Sequence, residues 1–369
     1  MDEDKLISVA KQFLSGEEIK TVSPLGEGFI NDTFIIFPKA SDAPKYLLQR
    51  KNSDVFTNIP GMMENISRVT RHLKKKIRQN GGNPDRESLT LIPARNGLLF
   101  FRDEAGNYWT SCLFIENHKI HEQVDTPEIA CAGGKGIGRF QNMLADFEGT
   151  LHETLPGFHN IRYRFEQWDQ VLMRDPVKRK AMVKKEISWI EKRRPEMIAF
   201  WQLIENGTIP KRITHNDTKI SNILFDDQRD DVLCMIDLDT VQQNPVLTDF
   251  GDAIRSYANT ATEDEPDLQK VSLDLNIYRE FTRGYLLEAK SFLTTPEIEH
   301  LPFSALYITF EQMLRFLMDY LDGDKYYKIK YTCHNLIRTQ AQHKLLKSME
   351  EQISAMKQIT KTLYAQKTK

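Results

Sequence analysis

The segment His215–Asn222 concentrates polar and charged side chains between two apolar stretches. Its Asp217 and Asn222 have the spacing D-x-x-x-x-N, and Lys219 lies between them. The runs NILF and VLCMI that follow flank a polar turn, which predicts a hairpin that returns Asp237 beside Asn222. Phosphoryl transfer needs a carboxylate to orient the acceptor hydroxyl, oxygen ligands for Mg²⁺ and a cation at the transferred group. We therefore expect Asp217 to be the catalytic base, Lys219 to stabilise the phosphoryl group, and Asn222 and Asp237 to bind Mg²⁺.

Other polar residues near this segment receive supporting roles. Asp239 is a weaker candidate for a metal ligand, because Asp237 directly ends the apolar strand. Asp249-Phe250-Gly251 spells the DFG of protein kinases, but no apolar strand runs into it, so we do not assign it to the metal. A buried carboxylate can instead accept backbone N–H bonds, and we expect Asp249 to hold the loop in this way. We expect His215 to bond to backbone for the same purpose.

A glycine-containing loop near the N-terminus is a candidate cover for the phosphates of ATP. Gly26 and Gly28 lie between two strand-like runs, where glycine allows backbone N–H groups to approach phosphate. Asn31 follows where the fuller kinase pattern has a third glycine, and asparagine tolerates left-handed backbone better than most residues. We expect these three residues to contact the nucleotide, although a G-x-G pair also suits an ordinary hairpin turn.

A cation for the α- and β-phosphates is expected on the third strand. The run KYLLQRKN offers Arg50 at this position, and Glu64 on the next helix is its expected partner. Because side chains alternate along a strand, Gln49 or Lys51 takes this place if the register differs by one.

The elements that position these residues form two predicted lobes. Residues 19–115 contain short apolar and alternating runs, interrupted by one helical pattern at PGMMENISRVTRHLKKKI. Helical periodicity then dominates in segments near 127–147, 176–206, 271–289, 304–321 and 334–363. The order predicts an α+β, two-lobed, protein-kinase-like fold, with a small antiparallel β lobe at 1–116 and a large, mainly α lobe at 117–369. The glycines of Gly133–Gly138 lack a phosphate-loop pattern, so we assign them to close helix packing.

Composition excludes several classes of protein. Among 369 residues, 50 basic side chains nearly balance 52 acidic ones for a net charge of −2, so no long-range field favours nucleic acid or an anionic membrane. The four cysteines form no C-x-x-C pair, and we interpret the three that lie in apolar or helical runs as buried thiols. No run approaches the roughly 18 apolar residues of a membrane span, and the acidic start lacks signal-peptide features. We expect a cytoplasmic protein; the sequence leaves its oligomeric state open.

The chain resembles the aminoglycoside phosphotransferase superfamily, which shares the H-x-D-x-x-x-x-N loop and an I-D strand end. The segments THNDTKISNILFD, CMIDLDTV, TDFGDAIR, GEGFINDTF, RFLMDYLDGDKYYK and HNLIRTQAQ are together similar to N-acetylhexosamine 1-kinases. The resemblance implies ATP- and Mg²⁺-dependent transfer of phosphate to the anomeric hydroxyl of N-acetylglucosamine or N-acetylgalactosamine. It also implies that Asp217 is the base, that Asn222 and Asp237 lie at the metal, and that Arg315 and Tyr326 contact the sugar.

Two alternatives to this interpretation remain open at the level of sequence. The acceptor can be another small alcohol, such as a different free sugar, choline, homoserine or an aminoglycoside, and a cationic acceptor would require an acidic pocket. A non-catalytic kinase-fold protein is disfavoured because the base and the metal-side residues are all present. Arg315 can also have a purely structural role, since Asp319 and Glu311 are within helical pairing distance along the sequence.

Overall fold

The structure, a computed structural model, describes residues 2–26 and 30–366. It has an antiparallel sheet lobe followed by a larger helical lobe, which confirms the predicted fold class. The predicted boundary near residue 116 stays a prediction. Within the described ranges, no helix is both long enough and apolar enough to cross a membrane.

The smaller lobe is built on a six-stranded antiparallel sheet with the strand order β1-β2-β3-β6-β4, in which β5 also pairs with β6. Its elements are α1 (Glu3–Ala10), β1 (Ile19–Pro24), β2 (Asp32–Pro38), β3 (Tyr46–Lys51), α2 (Ile59–Gln79), α3 (Pro84–Glu87), β4 (Leu91–Ile92), β5 (Phe101–Arg102) and β6 (Tyr108–Leu113). A compact core under the sheet joins α1 to the inward-facing residues of the strands, including Phe34, Leu48 and Trp109.

The inserted helix α2 packs mainly against the larger lobe. Asn58 caps it by accepting a hydrogen bond from the N–H of Gly61, which satisfies one of the orphan donors of the first turn. Met62, Ile66 and Val69 lie on its buried face, as the helical spacing predicted. These residues belong to the same apolar core as the helices of the larger lobe, so α2 joins the two parts of the molecule.

The larger lobe contains seven helices and five short strands among the described residues. They are β7 (His118–Lys119), α4 (Pro127–Met143), α5 (Ile161–Arg174), α6 (Lys184–Glu205), β8 (Arg212–Thr214), β9 (Ile223–Asp226), β10 (Val232–Met235), β11 (Gln242–Asn244), α7 (Val246–Tyr257), α8 (Leu275–Ala289), α9 (Thr295–Asp322) and α10 (His334–Ala365). Strands β10, β9 and β7 form one antiparallel sheet, and β11 pairs with β8 in another.

The helix boundaries differ from the predicted ones in several places. Helices α5 and α7 were not predicted, and the helix expected from about residue 176 begins only at Lys184, after Asp175 has ended α5 with a left-handed backbone. Helix α9 begins at Thr295, ahead of the predicted start, because Thr294 and Glu297 form a capping box there. The predicted hairpin is present as β9 and β10.

The glycines of Gly133–Gly138 serve helix packing, as predicted. A Cβ atom added at Gly134 would overlap the backbone carbonyl of Phe281 on α8, and one added at Gly284 would overlap the carbonyl of Cys131 on α4. Glycine on each helix therefore allows the backbones of α4 and α8 to approach directly. This contact fixes the helix that carries Gln141, which donates a hydrogen bond to Asp249, the residue that holds the loop described next.

Candidate active site

The loop after β8 is held by a buried carboxylate from α7. Asp249 is fully buried, and its two oxygens accept hydrogen bonds from the backbone N–H groups of His215 (3.0 Å) and Asn216 (2.7 Å). Gln141 donates a further bond to it at 2.9 Å. These are the backbone bonds predicted for Asp249, so the DFG-like tripeptide supports the loop and does not point toward a metal.

His215 closes the loop from the opposite side. Its Nε2 lies 2.8 Å from the carbonyl oxygen of Ile236 and must donate to it, while Nδ1 accepts from the N–H of Asp217 at 3.2 Å. Between them, Asn216 has a left-handed backbone with φ of 67°, which reverses the chain direction. The side-chain amide of Asn216 secures this turn by donating to the carbonyl of Thr240 at 2.9 Å. The loop is therefore rigid on both sides of Asp217.

Asp217 presents one paired and one unpaired oxygen. Its Oδ2 accepts from Lys219 Nζ at 3.0 Å and from Asn222 Nδ2 at 2.9 Å. Its Oδ1 accepts no hydrogen bond from the residues that the structure describes, and 28% of the side chain is exposed, so an incoming hydroxyl can reach it. Burial raises the pKa of Asp217, but the positive charge of Lys219 and the hydrogen bonds from Lys219 and Asn222 outweigh burial and lower it. The carboxylate therefore stays ionised, as a hydroxyl-orienting base requires.

The hairpin brings Asp237 back to Asn222. The N–H of Ile236 donates to the carbonyl of Asn222 at 2.9 Å, and Asp237 follows in a left-handed conformation. The half-buried carboxylate of Asp237 has no hydrogen-bond or ion-pair partner in the described parts of the chain. Burial, together with the negative charges of Asp239 and Asp217, raises the pKa of Asp237. A cation beside it would relieve this repulsion.

These oxygens fit the ligand preference of Mg²⁺. Asp237 offers a carboxylate, and Asn222 offers an amide oxygen, since only its NH₂ group is engaged with Asp217. Mg²⁺ takes few protein ligands and completes its octahedron with phosphate oxygens and water. Across residues 2–26 and 30–366, no three or more His, Cys, Asp or Glu side chains are grouped to hold a metal by themselves.

The predicted pair of Arg50 and Glu64 is not formed. Arg50 lies on the outer face of β3, where its Nε donates to Asp32 at 2.7 Å, and Glu64 lies 2.9 Å from His152 Nε2. Because side chains alternate along the strand, the next residue, Lys51, faces inward and is only 3% exposed. The register alternative that placed Lys51 at the cleft describes the structure, and Arg50 points to the opposite face of the same strand.

Lys51 is paired with Asp239 across the cleft. Its Nζ lies 2.7 Å from both carboxylate oxygens, and Asn31 Nδ2 donates to the same carboxylate at 2.7 Å. The N–H of Asn52 in turn donates to Asn31 Oδ1 at 3.1 Å. Asp239 is thus occupied by two donors from the smaller lobe, which leaves Asp237 as the available carboxylate. The only sequence signal for this contact was Asp239 itself, the second aspartate of the run I-D-L-D.

The remaining nucleotide-side predictions concern the glycine loop. Gly26 has φ of 66°, the left-handed region that glycine adopts without strain. Gly28 lies outside the described residues. The side chain of Asn31 does not belong to a turn that covers phosphate, since it reaches inward to Asp239.

A pocket of about 490 Å³, lined mainly by α5, α9 and the turn after α9, contains both predicted sugar contacts. Arg315 lies on α9, and its guanidinium carbon is 5.6 Å from the ring centre of Tyr326, 5.5 Å from that of Tyr327 and 5.8 Å from that of Phe158. Its one hydrogen bond to another described residue goes to Gln312 at 3.2 Å. Arg315 forms no ion pair within 4 Å among the described residues, so most of its donors face the pocket.

The two acids proposed as structural partners of Arg315 are engaged elsewhere. Asp319 accepts the backbone N–H groups of Lys325 (2.9 Å), Tyr326 (2.8 Å) and Tyr327 (3.0 Å), and so fixes the turn that carries both tyrosines. Glu311 accepts from Arg164 at 3.2 Å and lies 2.7 Å from His159 Nδ1. The purely structural interpretation of Arg315 therefore loses both of its candidate partners.

The charge of this pocket is close to balanced. Its lining includes four basic and three acidic side chains: Arg164, Arg174, Arg315, Lys325, Asp54, Asp319 and Asp322. The acidic stretch at residues 262–267 does not contribute, because Glu263 pairs with Arg255 and Asp264 with His334. A cationic acceptor would find no excess of negative charge here.

Comparison with known proteins agrees with this geometry. The model of the phosphotransferase enzyme family matches residues 21–285 of the chain. A microcompartment-associated aminopropanol kinase has a similar structure, with a TM-score of 0.63 at 14% identity over 95% of this chain and 98% of that one. Choline kinase from Cryptosporidium parvum Iowa II has a TM-score of 0.60 at 13% identity over 98% and 99% of the two chains. Spectinomycin phosphotransferase APH(9)-Ia, in complex with ADP and spectinomycin, has a TM-score of 0.54 at 14% identity, also over 98% and 99%.

Proposed function

This chain belongs to the phosphotransferase enzyme family, and we propose that it transfers the γ-phosphate of ATP to the anomeric hydroxyl of an N-acetylhexosamine. The product is the sugar 1-phosphate. The observation that supports the choice of acceptor is the guanidinium of Arg315, which has no ion pair among the described residues and is framed by aromatic rings in a pocket without excess acid.

The residues of the loop have complementary roles in this transfer. Asp217 accepts a hydrogen bond from the anomeric hydroxyl through Oδ1 and takes its proton as the bond to phosphorus forms. Lys219, whose positive charge is stabilised by Asp217 and Asp237, lies where it can balance the negative charge of the moving phosphoryl group. Mg²⁺ held by Asn222 and Asp237 would neutralise the phosphate oxygens of ATP. Lys51 is the strand cation that would contact the phosphates from the smaller lobe.

The acceptor pocket suits a neutral, hydroxylated ring. A guanidinium donates in a planar fork and can bond to hydroxyl and acetamido carbonyl oxygens, which present acceptors. The faces of Tyr326 and Phe158 offer apolar surface for the C–H groups of the ring and for an acetyl methyl group. A choline or aminoglycoside acceptor carries positive charge, which Arg315 would repel.

The test is release of ADP from ATP and Mg²⁺ with a panel of N-acetylglucosamine, N-acetylgalactosamine, glucose, galactose, choline, homoserine and kanamycin. Turnover confined to the N-acetylhexosamines is expected, with phosphorus NMR placing the phosphate on O1. Turnover of another member of the panel would agree with the proposed phosphoryl transfer but would show that the proposed acceptor is wrong. No release of ADP with any acceptor, together with no Mg²⁺-dependent binding of ATP, would contradict the proposal that the protein is a kinase.

A further inference from the structure

The pair His159 and Glu311 connects the acceptor pocket to the loop that carries Asp217. His159 lies between α4 and α5, and Glu311 lies on α9. Their side chains are only 6% and 2% exposed, and neither touches the acceptor or the phosphates in the function proposed above. We propose that they form a positioning pair, in which Glu311 orients the His159 ring and the ring holds the backbone carbonyl of Asn216, so that Asp217 points at the acceptor hydroxyl. This inference rests on the proposed phosphoryl transfer.

The contacts of the His159 ring define its chemistry. Nδ1 is 2.7 Å from a carboxylate oxygen of Glu311, and Nε2 is 3.2 Å from the carbonyl oxygen of Asn216. Both partners accept hydrogen bonds, whereas a neutral imidazole has only one N–H to donate. The imidazolium form satisfies both contacts, and the carboxylate of Glu311 balances its charge.

The carbonyl that His159 reaches belongs to the residue that directs Asp217. Asn216 has a left-handed backbone, and Asp217 follows it directly. On the N–H side, this turn is held by Asp249, but on the carbonyl side of Asn216 the ring of His159 makes the one side-chain hydrogen bond found among the described residues. Movement of that carbonyl rotates the peptide that leads into Asp217. Because a small displacement of a catalytic group can reduce the rate strongly, this contact matters for turnover.

The same pair is continuous with the wall of the acceptor pocket. Arg315 lies one turn of α9 beyond Glu311, about 6 Å along the helix axis. Phe158 precedes His159, and its ring lies under the Arg315 guanidinium. Asn244 ties the two sides together, since its Nδ2 lies 3.3 Å from the carbonyl of Phe158 and 2.9 Å from Asn216 Oδ1. The pocket wall and the loop are therefore connected by hydrogen bonds.

Stability alone is a poor reason for such a pair at this place. Removing two charges from water costs free energy that their attraction only partly returns, and well-packed apolar residues of similar volume are often as stable. Glu311 already has Arg164 as a second basic partner. The oriented ring gives what an apolar pair would not, a directed hydrogen bond to the loop.

The experiment compares Glu311→Gln, His159→Gln and the double variant in the full-length protein, with the acceptor that the panel identifies. Each single variant is expected to lower kcat at least tenfold and to leave the KM for ATP within twofold. Because the two residues act through one contact, the decrease in kcat of the double variant should not exceed that of the more impaired single variant. Thr309→Val, a fully buried change on α9 that leaves the loop contacts intact, is the matched control and should retain kcat even if Tm falls.

A second readout does not depend on the acceptor. In the wild-type protein at neutral pH, nitrogen-15 NMR should show protons on both ring nitrogens of His159, and Glu311→Gln should remove one of them. A kcat within twofold of wild type in both single variants, additive losses in the double variant, or a singly protonated ring in the wild type would overturn the proposal. If the panel is silent but both nitrogens are protonated, the proposed acceptor has failed and the geometry of the pair has not.

Discussion

The phosphoryl-transfer loop and the acceptor pocket differ in how their polar groups are used. In the loop, most polar groups of the backbone and side chains are hydrogen-bonded, with Asp249, His215 and Asn216 as the main partners. Only selected oxygens of Asp217, Asn222 and Asp237 stay available to a ligand. In the pocket, Arg315 has most of its donors unpaired, and Tyr326 is 53% exposed. The side chains of the loop are held by many partners, whereas the side chains that face into the pocket have few.

This difference explains how one fold can serve several acceptors. The similar structures are named for kinases of aminopropanol, choline and spectinomycin, and they share the fold with this chain at 13–14% identity. A pre-organised loop supplies the electrostatics of phosphoryl transfer, and that requirement is the same for every alcohol. In the proposed function, acceptor choice would depend on side chains such as Arg315, which lie on α9 and on the turn after it.

The largest expected effect is at the loop. Asp217→Asn keeps the shape and the contact with Lys219 but removes the base, so kcat should fall about 10³-fold. Binding of ATP, measured by calorimetry with Mg²⁺ present, should be retained. Turnover within tenfold of wild type would show that Asp217 is not the base.

The next effect separates two neighbours on β3. Lys51→Ala removes the buried partner of Asp239 and should lower kcat/KM for ATP about 10²-fold. Arg50→Ala removes an exposed pair with Asp32 and should change it by no more than about twofold. The reverse ranking in steady-state kinetics would restore Arg50 as the phosphate-contacting cation.

A third change tests the pocket alone. Arg315→Lys keeps the charge but loses the planar fork, so the KM for the acceptor should rise about tenfold while kcat falls much less. Arg283→Lys on α8, remote from the pocket, is the matched control and should leave both constants unchanged. A tenfold decrease in kcat with an unchanged KM for the acceptor would indicate that Arg315 acts in the chemical step and not in acceptor binding.

The smallest effect concerns stability without metal. Asp237→Asn removes a buried charge that Asp239 and Asp217 repel, so the Tm of the metal-free protein should rise by roughly 1 to 3 °C. The same variant should lose the rise in Tm that Mg²⁺ and ATP give the wild type. Asp227→Asn, at the exposed turn of the same hairpin, should behave as wild type in both calorimetric scans. If Mg²⁺ and ATP still raise the Tm of Asp237→Asn, Asp237 is not a metal ligand.

The loop was predictable because its determinants are close in sequence. The D-x-x-x-x-N spacing, the apolar runs on either side of a polar turn and the acid at the end of the second run together define a hairpin that brings Asp237 to Asn222. The support from Asp249 followed from the rule that a buried carboxylate must be hydrogen-bonded. The glycines of α4 were predictable for a similar reason, since they lack any phosphate-binding pattern.

The sequence by itself thus determined the fold class, the family and the loop, because these depend on periodicity and on contacts within short stretches. Only the tertiary structure decided that Lys51 faces the cleft in place of Arg50, since a one-residue change of register exchanges the two faces of a strand. It also decided that Arg315 is unpaired, because the acids that its spacing offered are engaged by the backbone near Tyr326 and by His159. Such competition between partners distant in sequence cannot be read from spacing, since it depends on which groups the folded chain brings together.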